Sequence, residues 1–424
     1  MSLLSLASAH RHLAWLERRG VMFGANVGLS HAASMGAGLV AAKSLPAGEV
    51  LVSIPPAVWK PFSAEEASRT EACAEAVAAH AASLGAGVSF SDAALLAARL
   101  ARFVTMSGDG QDSDDSGDGN IAYLASLPPP DVPLLWPAPL RAALLRGTSA
   151  GIAAESQVAL SDGVHGVMMQ HAGDAAPSQA AFRWAQAILL SRAHSGDGKP
   201  LALVPGLDLL NHGGRAAGAC VHYRDHAFEL VATRAHAKGD PIEIDYGTSA
   251  SHRLLRLYGF VPRRGGHEEQ SGEEAAAEAA AQTAVEVGEE VIVPLLPSAA
   301  ELSGAPDAVL QEVAAIRDSL AACGISGSSL RLRLGDDGRF ALPQIGGAGQ
   351  EASTALRVLL SAIDTQKRRQ QQGFAACQAI QAAPGRGTSD EAARRRARLC
   401  LQLHTREAAL LEAAWTQLQD DYLS

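Results

Sequence analysis

Apolar positions along the chain fall into blocks of two different periods. In residues 3–19, Leu6, Leu13 and Leu16 lie near one face at helical spacing, and Gly20 ends the pattern. Residues 35–59, MGAGLVAAKSLPAGEVLVSIPPAVW, switch to a strand period. GLVAA reads as a strand and PAGE as a turn. EVLVSI then alternates, with Val50, Val52 and Ile54 on one face, until Pro55 and Pro56 stop it. From about 63 to 106 the helical period returns, rich in Ala, Leu and Glu. Ser63 is placed to cap its start, and SDAALLAARLARFVT is predicted as a helix with Asp92 in its first turn.

Residues 107–120, SGDGQDSDDSGDGN, are polar and Gly-rich and read as a disordered surface loop. Residues 123–137 form a Pro-rich connection, and 138–195 look helical again until Pro205 breaks the chain. AFELVATRAHAKGDPIEIDYG repeats the strand-turn-strand pattern. Phe228, Leu230 and Ala232 share one face, as do Ile242, Ile244 and Tyr246, with Glu243 and Asp245 opposite. SHRLLRLYGFVP is a short helix with an apolar exit. The last helix carries Leu403, Leu410, Leu411, Ala414 and Leu418 on one stripe. The pattern predicts an α+β protein. A β-rich core, about 21–62 and 190–264, is interrupted by a helical insert, about 63–189. A linker at 265–284 leads to an all-α domain at 285–424.

A chain of 424 residues is too long for one ordinary core, in keeping with two domains. Hydrophobic content of 47% with 19% charged residues describes a packed globular protein. The net charge of −10 argues against a general nucleic-acid binder. The runs Lys367–Arg369 and Arg394–Arg396 read as solvated sides of helices. Five dispersed cysteines form no CxxC pair, which disfavours a zinc cluster and fits a reducing compartment. No apolar stretch is long enough to span a bilayer, and no clear secretory signal is seen. A soluble, intracellular protein of the cytoplasm or plastid stroma is expected, with no membrane partner. Asp112, Asp114, Ser116 and Gly117 mimic the start of a calcium loop. Tyr123 stands where the closing glutamate belongs, so no metal is expected.

Three segments carry candidate chemistry: MGAGLVA, LDLLNH and IEIDYGTSASHRLLRLYGFV. Taken singly, each has an ordinary explanation as a turn, a helix end or a core tyrosine. In their order and spacing they resemble the SET-domain methyltransferases, within them the subfamily of the plant Rubisco large-subunit lysine methyltransferase and its animal relatives. The resemblance implies a SET domain over 1–264 and a helical substrate-binding domain over 285–424. It implies S-adenosylmethionine as cofactor and a lysine-containing protein as substrate, with the chain acting as a monomer.

Carried over by position, Met35, Gly36 and Ala37 lie where small residues let backbone approach the cofactor. The family often has an acidic residue in place of Met35, so that contact is main-chain here. Arg192 would hold the cofactor's carboxylate, and Ser191 would lie near the substrate. Asn211 and His212 would bind the cofactor's amino-acid and adenine ends, and Asp208 would hold that loop or the cofactor. Tyr246 matches the catalytic tyrosine, which also contacts the cofactor. Tyr258 and Tyr223 would line the substrate channel. Ser249, Ala250 and Ser251 depart from the family, whose usual Asn is replaced. Two alternatives remain at this stage: a histidine acceptor, or an inactive SET fold that serves as a protein-binding module.

Overall fold

The computed structural model describes residues 6–24, 26–32, 36–106, 119–127, 130–247, 250–262, 289–297, 302–303, 305–334, 339–343, 350–383 and 387–423. Met35, Ser249, the acidic stretch 107–118 and the expected linker 265–284 lie outside the described residues. The chain divides into two compact units. One comprises Met1–Leu135, Ser156–Thr248 and Leu257–Gly259, and the other Trp136–Glu155, Ser249–Arg256 and Phe260–Ser424.

The first unit holds strands β1 (Met22–Phe23), β2 (Val27–Ala32), β3 (Gly36–Ala41), β4 (Val50–Ile54), β5 (Ala193–Gly196), β6 (Lys199–Leu203), β7 (Asn211–His212), β8 (Ala219–Arg224), β9 (Ala227–Ala232) and β10 (Pro241–Ile244). One sheet has the order β1-β4-β9-β8 and a second β2-β3-β10-β7, with β5 and β6 as a separate pair. Phe228, Leu230 and Ala232 are buried on one face of β9, as their alternation requires. On β4 the expected single face is broken. The β4–β9 register slips between Val50 and Val52. Leu51 and Val52 are both buried while Val50 is exposed, the result of one extra residue in the ladder.

The insert forms its own apolar core, in which the helices Val88–Met106 and Gln179–Arg192 meet through Leu96, Leu100, Phe182 and Ile188. Ser63 caps the helix Ala64–Thr70, its hydroxyl accepting from the Glu66 amide at 3.2 Å. Asp92 lies beyond the first turn of its helix, which starts earlier than its polar residues suggest, at Val88. Tyr123 is helical rather than part of the Pro-rich connection. It belongs to Gly119–Ser126, which is held by the buried side chains of Tyr123 and Leu124. Ala193 adopts extended backbone, so the helix expected through 195 stops at Arg192 and β5 begins.

The second unit is mainly helical, with long helices Gln350–Ala382 and Thr388–Leu423. Leu403, Leu410, Leu411, Ala414 and Leu418 are all buried. At about 1.5–3 kcal/mol for each fully buried leucine side chain, that stripe anchors the last helix. This unit also contains an antiparallel pair, β11 (Glu290–Pro294) and β12 (Ser329–Arg333), which helical periodicity did not single out. Val291, Val293 and Leu332 of the pair join the same apolar cluster as Leu410 and Leu411. No helix among the described residues is long and apolar enough to cross a membrane.

Candidate functional site

Two segments far apart in sequence meet in the second sheet. β7 runs parallel to β10, with Asn211 opposite Glu243 and His212 opposite Ile244. The Gly213 amide donates to the Ile244 carbonyl at 3.0 Å. A Cβ at Gly213 would stand 2.9 Å from Cβ of Glu243, so the close pairing needs a glycine there. On its other side β10 pairs with β3, which brings the GAG segment to the same place. A Cβ on Gly38 would lie 2.5 Å from Nδ2 of Asn211. The amide of Asn211 therefore rests directly on bare backbone at Gly38. Asn211 makes no hydrogen bond through its side chain among the described residues. Gly36 pairs with Ala32, and Ala37 is buried in the core.

The turn before β7 is held from several directions. Arg192 ends the helix Gln179–Arg192 and donates through Nη1 to the Asp208 carbonyl at 2.8 Å. Its Nε is buried and has no hydrogen-bond partner among the described residues. Gly206, with φ of 99°, takes a conformation that favours glycine, and its amide donates to Oδ1 of Asp208 at 2.7 Å. The Tyr123 hydroxyl donates to Oδ2 of Asp208 at 3.3 Å. Both carboxylate oxygens of this buried aspartate thus accept from the chain itself, which ties it to the turn. Burial and then the Asp208 charge raise the Tyr123 phenol well above its usual range, so it remains a donor.

Tyr246 lies two residues past the end of β10. Its hydroxyl donates to the Leu210 carbonyl at 2.6 Å, and its amide donates to Nδ1 of His212 at 3.2 Å. The His212 ring lies 5.0 Å away, centroid to centroid. The Tyr258 ring lies 4.3 Å away at an interplanar angle of 31°. The Tyr258 hydroxyl donates to the Tyr246 carbonyl at 3.4 Å. Burial raises the Tyr246 phenol, with the Arg192 charge opposing it. Burial lowers the His212 imidazole, with Asp245 opposing it. A neutral His212 that accepts at Nδ1 carries its proton on Nε2.

Of the candidate residues, the structure brings together Arg192 with Asp208, Asn211 with Gly38, and His212 with Tyr246 and Tyr258. Ser191 donates within its own helix, to Ala187 O at 2.9 Å and Ile188 O at 3.2 Å. Tyr223 makes its ring contacts with Trp59, His226 and Phe228, not with the Tyr246–Tyr258 pair. Ser251, where the family pattern departs, is buried in the second unit. Its amide donates to Glu289 Oε2 at 2.9 Å, and its hydroxyl binds Glu289 and Arg406. Sequence reasoning passed over Gly38 and Tyr123. Gly38 was visible as the second glycine of GAG, and Tyr123 as an aromatic residue closing a polar loop.

The two four-stranded sheets, the second of them holding the β7–β10 pairing, together with an inserted helical region and a helical C-terminal region, match the mixed α/β SET-domain fold. Among solved structures, Rubisco LSMT bound to AdoMet superposes with a TM-score of 0.62 at 15% identity, over 98% of this chain and 92% of that one. The SET domain of LSMT bound to lysine and AdoHcy gives 0.58 at 16% identity, with the same coverage of 98% and 92%. Rubisco LSMT bound to sinefungin and monomethyllysine gives 0.59 at 16%, again covering 98% and 92%. No protein-family model matches the chain, and no curated protein matches it by sequence. At such identities the likeness establishes the fold.

Proposed function

We propose that this chain is an S-adenosylmethionine-dependent protein-lysine N-methyltransferase, with residues 1–264 as the catalytic domain and 285–424 as the substrate-binding domain. The observation that carries the reading is the Nε of Arg192, buried and without a partner among the described residues, fixed beside the turn that bears Asn211 and His212. A buried donor without an acceptor costs about 1–3 kcal/mol, so the site favours an acceptor such as a ligand carboxylate. The solved relatives in fold are bound to AdoMet or AdoHcy and to lysine or methyllysine, which supports the same assignment.

When bound, S-adenosylmethionine supplies a methyl group on a sulfonium, already a good leaving group. The chain's task is to align the acceptor and exclude water. Arg192 holds the carboxylate end, and the Asn211 amide, packed on Gly38, binds the polar amino-acid end. His212 contributes its Nε2–H and backbone. A lysine acceptor must be neutral, since an ammonium has no lone pair, and free lysine titrates near ~10.4. Burial against the paired rings of Tyr246 and Tyr258 favours the neutral amine. The Tyr246 hydroxyl donates a hydrogen bond to Leu210 O, so its oxygen lone pairs can accept an N–H from the amine and orient the amine's lone pair.

The test is transfer of labelled methyl from S-adenosylmethionine to lysate protein by the purified chain, followed by mass spectrometry of the modified residue. Labelled lysine that is lost in Tyr246→Phe supports the reading. Labelled histidine would move the acceptor, and absence of transfer with absence of cofactor binding would leave a binding module in its place.

A further inference from the structure

The helical insert reaches into the site through one side chain. Tyr123, on the helix Gly119–Ser126, lies 85 positions from Asp208 in sequence yet donates its hydroxyl to that carboxylate. The phenol is buried and cannot swing away. The Trp15 ring stacks on it at 5.4 Å with an interplanar angle of 5°, and Phe62 packs at 5.2 Å. Asp208 in turn clamps Gly206 through Oδ1 and receives Arg192 on its carbonyl. A continuous path of contacts therefore runs from the insert, through Asp208, to the Arg192 guanidinium.

We propose that Tyr123 is a positioning residue for the arginine that binds the donor's carboxylate, acting through Asp208; this rests on the methyl-transfer reading above. Without the hydroxyl, Oδ2 of Asp208 loses a buried donor, the turn at 206–209 relaxes, and the carbonyl that anchors Nη1 of Arg192 shifts. Leu210, which anchors the Tyr246 hydroxyl, closes the same turn, but the Tyr246 amide is held separately by Nδ1 of His212 on β7, so the step at saturating donor is affected less than donor binding. The effect falls mainly on donor affinity.

The experiment compares wild type, Tyr123→Phe, Asp208→Asn and the double variant. Calorimetric titration with S-adenosylhomocysteine gives Kd, and initial rates give KM for S-adenosylmethionine and kcat. Tyr123→Phe is expected to raise Kd and KM about five- to tenfold, the part of one charge-assisted hydrogen bond that reaches Arg192, with kcat within about twofold of wild type. In the Asp208→Asn background the same change should add less than about twofold, because both act through one contact. Wild-type binding with Tyr123→Phe equally tight would overturn the Tyr123 assignment alone. So would a fall in kcat at unchanged KM, or an additive double variant, which marks a merely structural tyrosine. A wild-type chain that gives no saturable heat would overturn this inference and the methyl-transfer reading together.

Discussion

Replacing Gly38 with alanine isolates the contact on which Asn211 depends. The new Cβ would stand 2.5 Å from Nδ2 of Asn211, whereas ordinary contact begins at 3.4 Å. The next nearest groups, Cγ of Asn211 at 3.6 Å and Leu209 O at 3.9 Å, leave room for it. The obstacle is thus the end of one half-buried side chain, which can rotate away without moving a strand. Gly38 carries no positive φ, so alanine suits its extended backbone. Stability should fall by no more than about 1 kcal/mol, below the ~1–3 kcal/mol of a rigidly overpacked core. The Asn211 amide must move by roughly 1 Å, and a displacement of that size at a positioned group costs on the order of 10–100-fold in binding or rate. Gly28, on the neighbouring strand β2, provides the control. Its Cβ would meet Ala42 Cβ and Val40 Cγ2 at 3.7 Å each, ordinary contact. Thermal unfolding and calorimetry with S-adenosylmethionine on both variants separate the effects. Gly38→Ala should keep its midpoint and lose affinity, while Gly28→Ala keeps both. Unchanged affinity in Gly38→Ala, or equal losses in the two variants, would refute the placement of Asn211 at the ligand.

Tyr246→Phe deletes the 2.6 Å bond to Leu210 O together with the oxygen proposed to orient the amine. At saturating donor kcat should drop by about 100-fold or more in a methyl-transfer assay, with donor Kd nearly unchanged. Desolvation lowers His194, whose ring lies 6.3 Å from Phe228, to about 4. The unfolded imidazole titrates near ~6.5, so between that pH and about 4 the unfolded state binds more protons. Stability should therefore decline as pH falls through this window, and His194→Gln should flatten the decline in urea titrations. Glu407 has the opposite sign. Burial raises its carboxyl to about 8. The native state then holds the proton that the unfolded chain has lost, and stability falls as pH rises from about 4.5 to about 8. Glu407→Gln keeps the shape beside Ser149 and Gln370 and should melt higher than wild type at pH 9, with the gap closing toward pH 5. A constant gap would mean that the carboxyl does not titrate in that window.

What could be read from the sequence followed from local period and order. The β9 alternation, the Ser63 cap and the apolar stripe of the last helix each depend on residues within one element, where spacing alone fixes the face. The parts that escaped depend on partners distant in sequence. Val50 turned outward because β4 slips against β9, and no feature of EVLVSI reveals a bulge. β11 and β12 lie 34 residues apart and form strands only by pairing with each other in a helical region. The same distinction divides the site. DLLNH and IEIDYG were visible as motifs, while Tyr123 belongs to the site through one hydroxyl that crosses from the insert.

The division of labour within LVPGLDLLNHGG explains why so short a run carries an acid, an amide and an imidazole. A buried carboxylate is tolerated only where donors surround it, and Asp208 has them in Gly206 and Tyr123. Once those donors are engaged, the aspartate is a brace. Among the described residues, the groups left with hydrogen-bonding capacity include the Nε of Arg192 and the amide of Asn211, one a donor and the other both donor and acceptor. A ligand that satisfies both presents an acceptor near a second polar group, and the amino-acid end proposed above has that pattern. His212 and Tyr246 then fix each other through Nδ1 and a backbone amide, which leaves the imidazole neutral and the phenol protonated near neutral pH. On the methyl-transfer reading, the Arg192 guanidinium is offered to the donor's carboxylate and protonated phenols to a neutral amine, with Glu243 and Asp245 among the charges that act on those phenols.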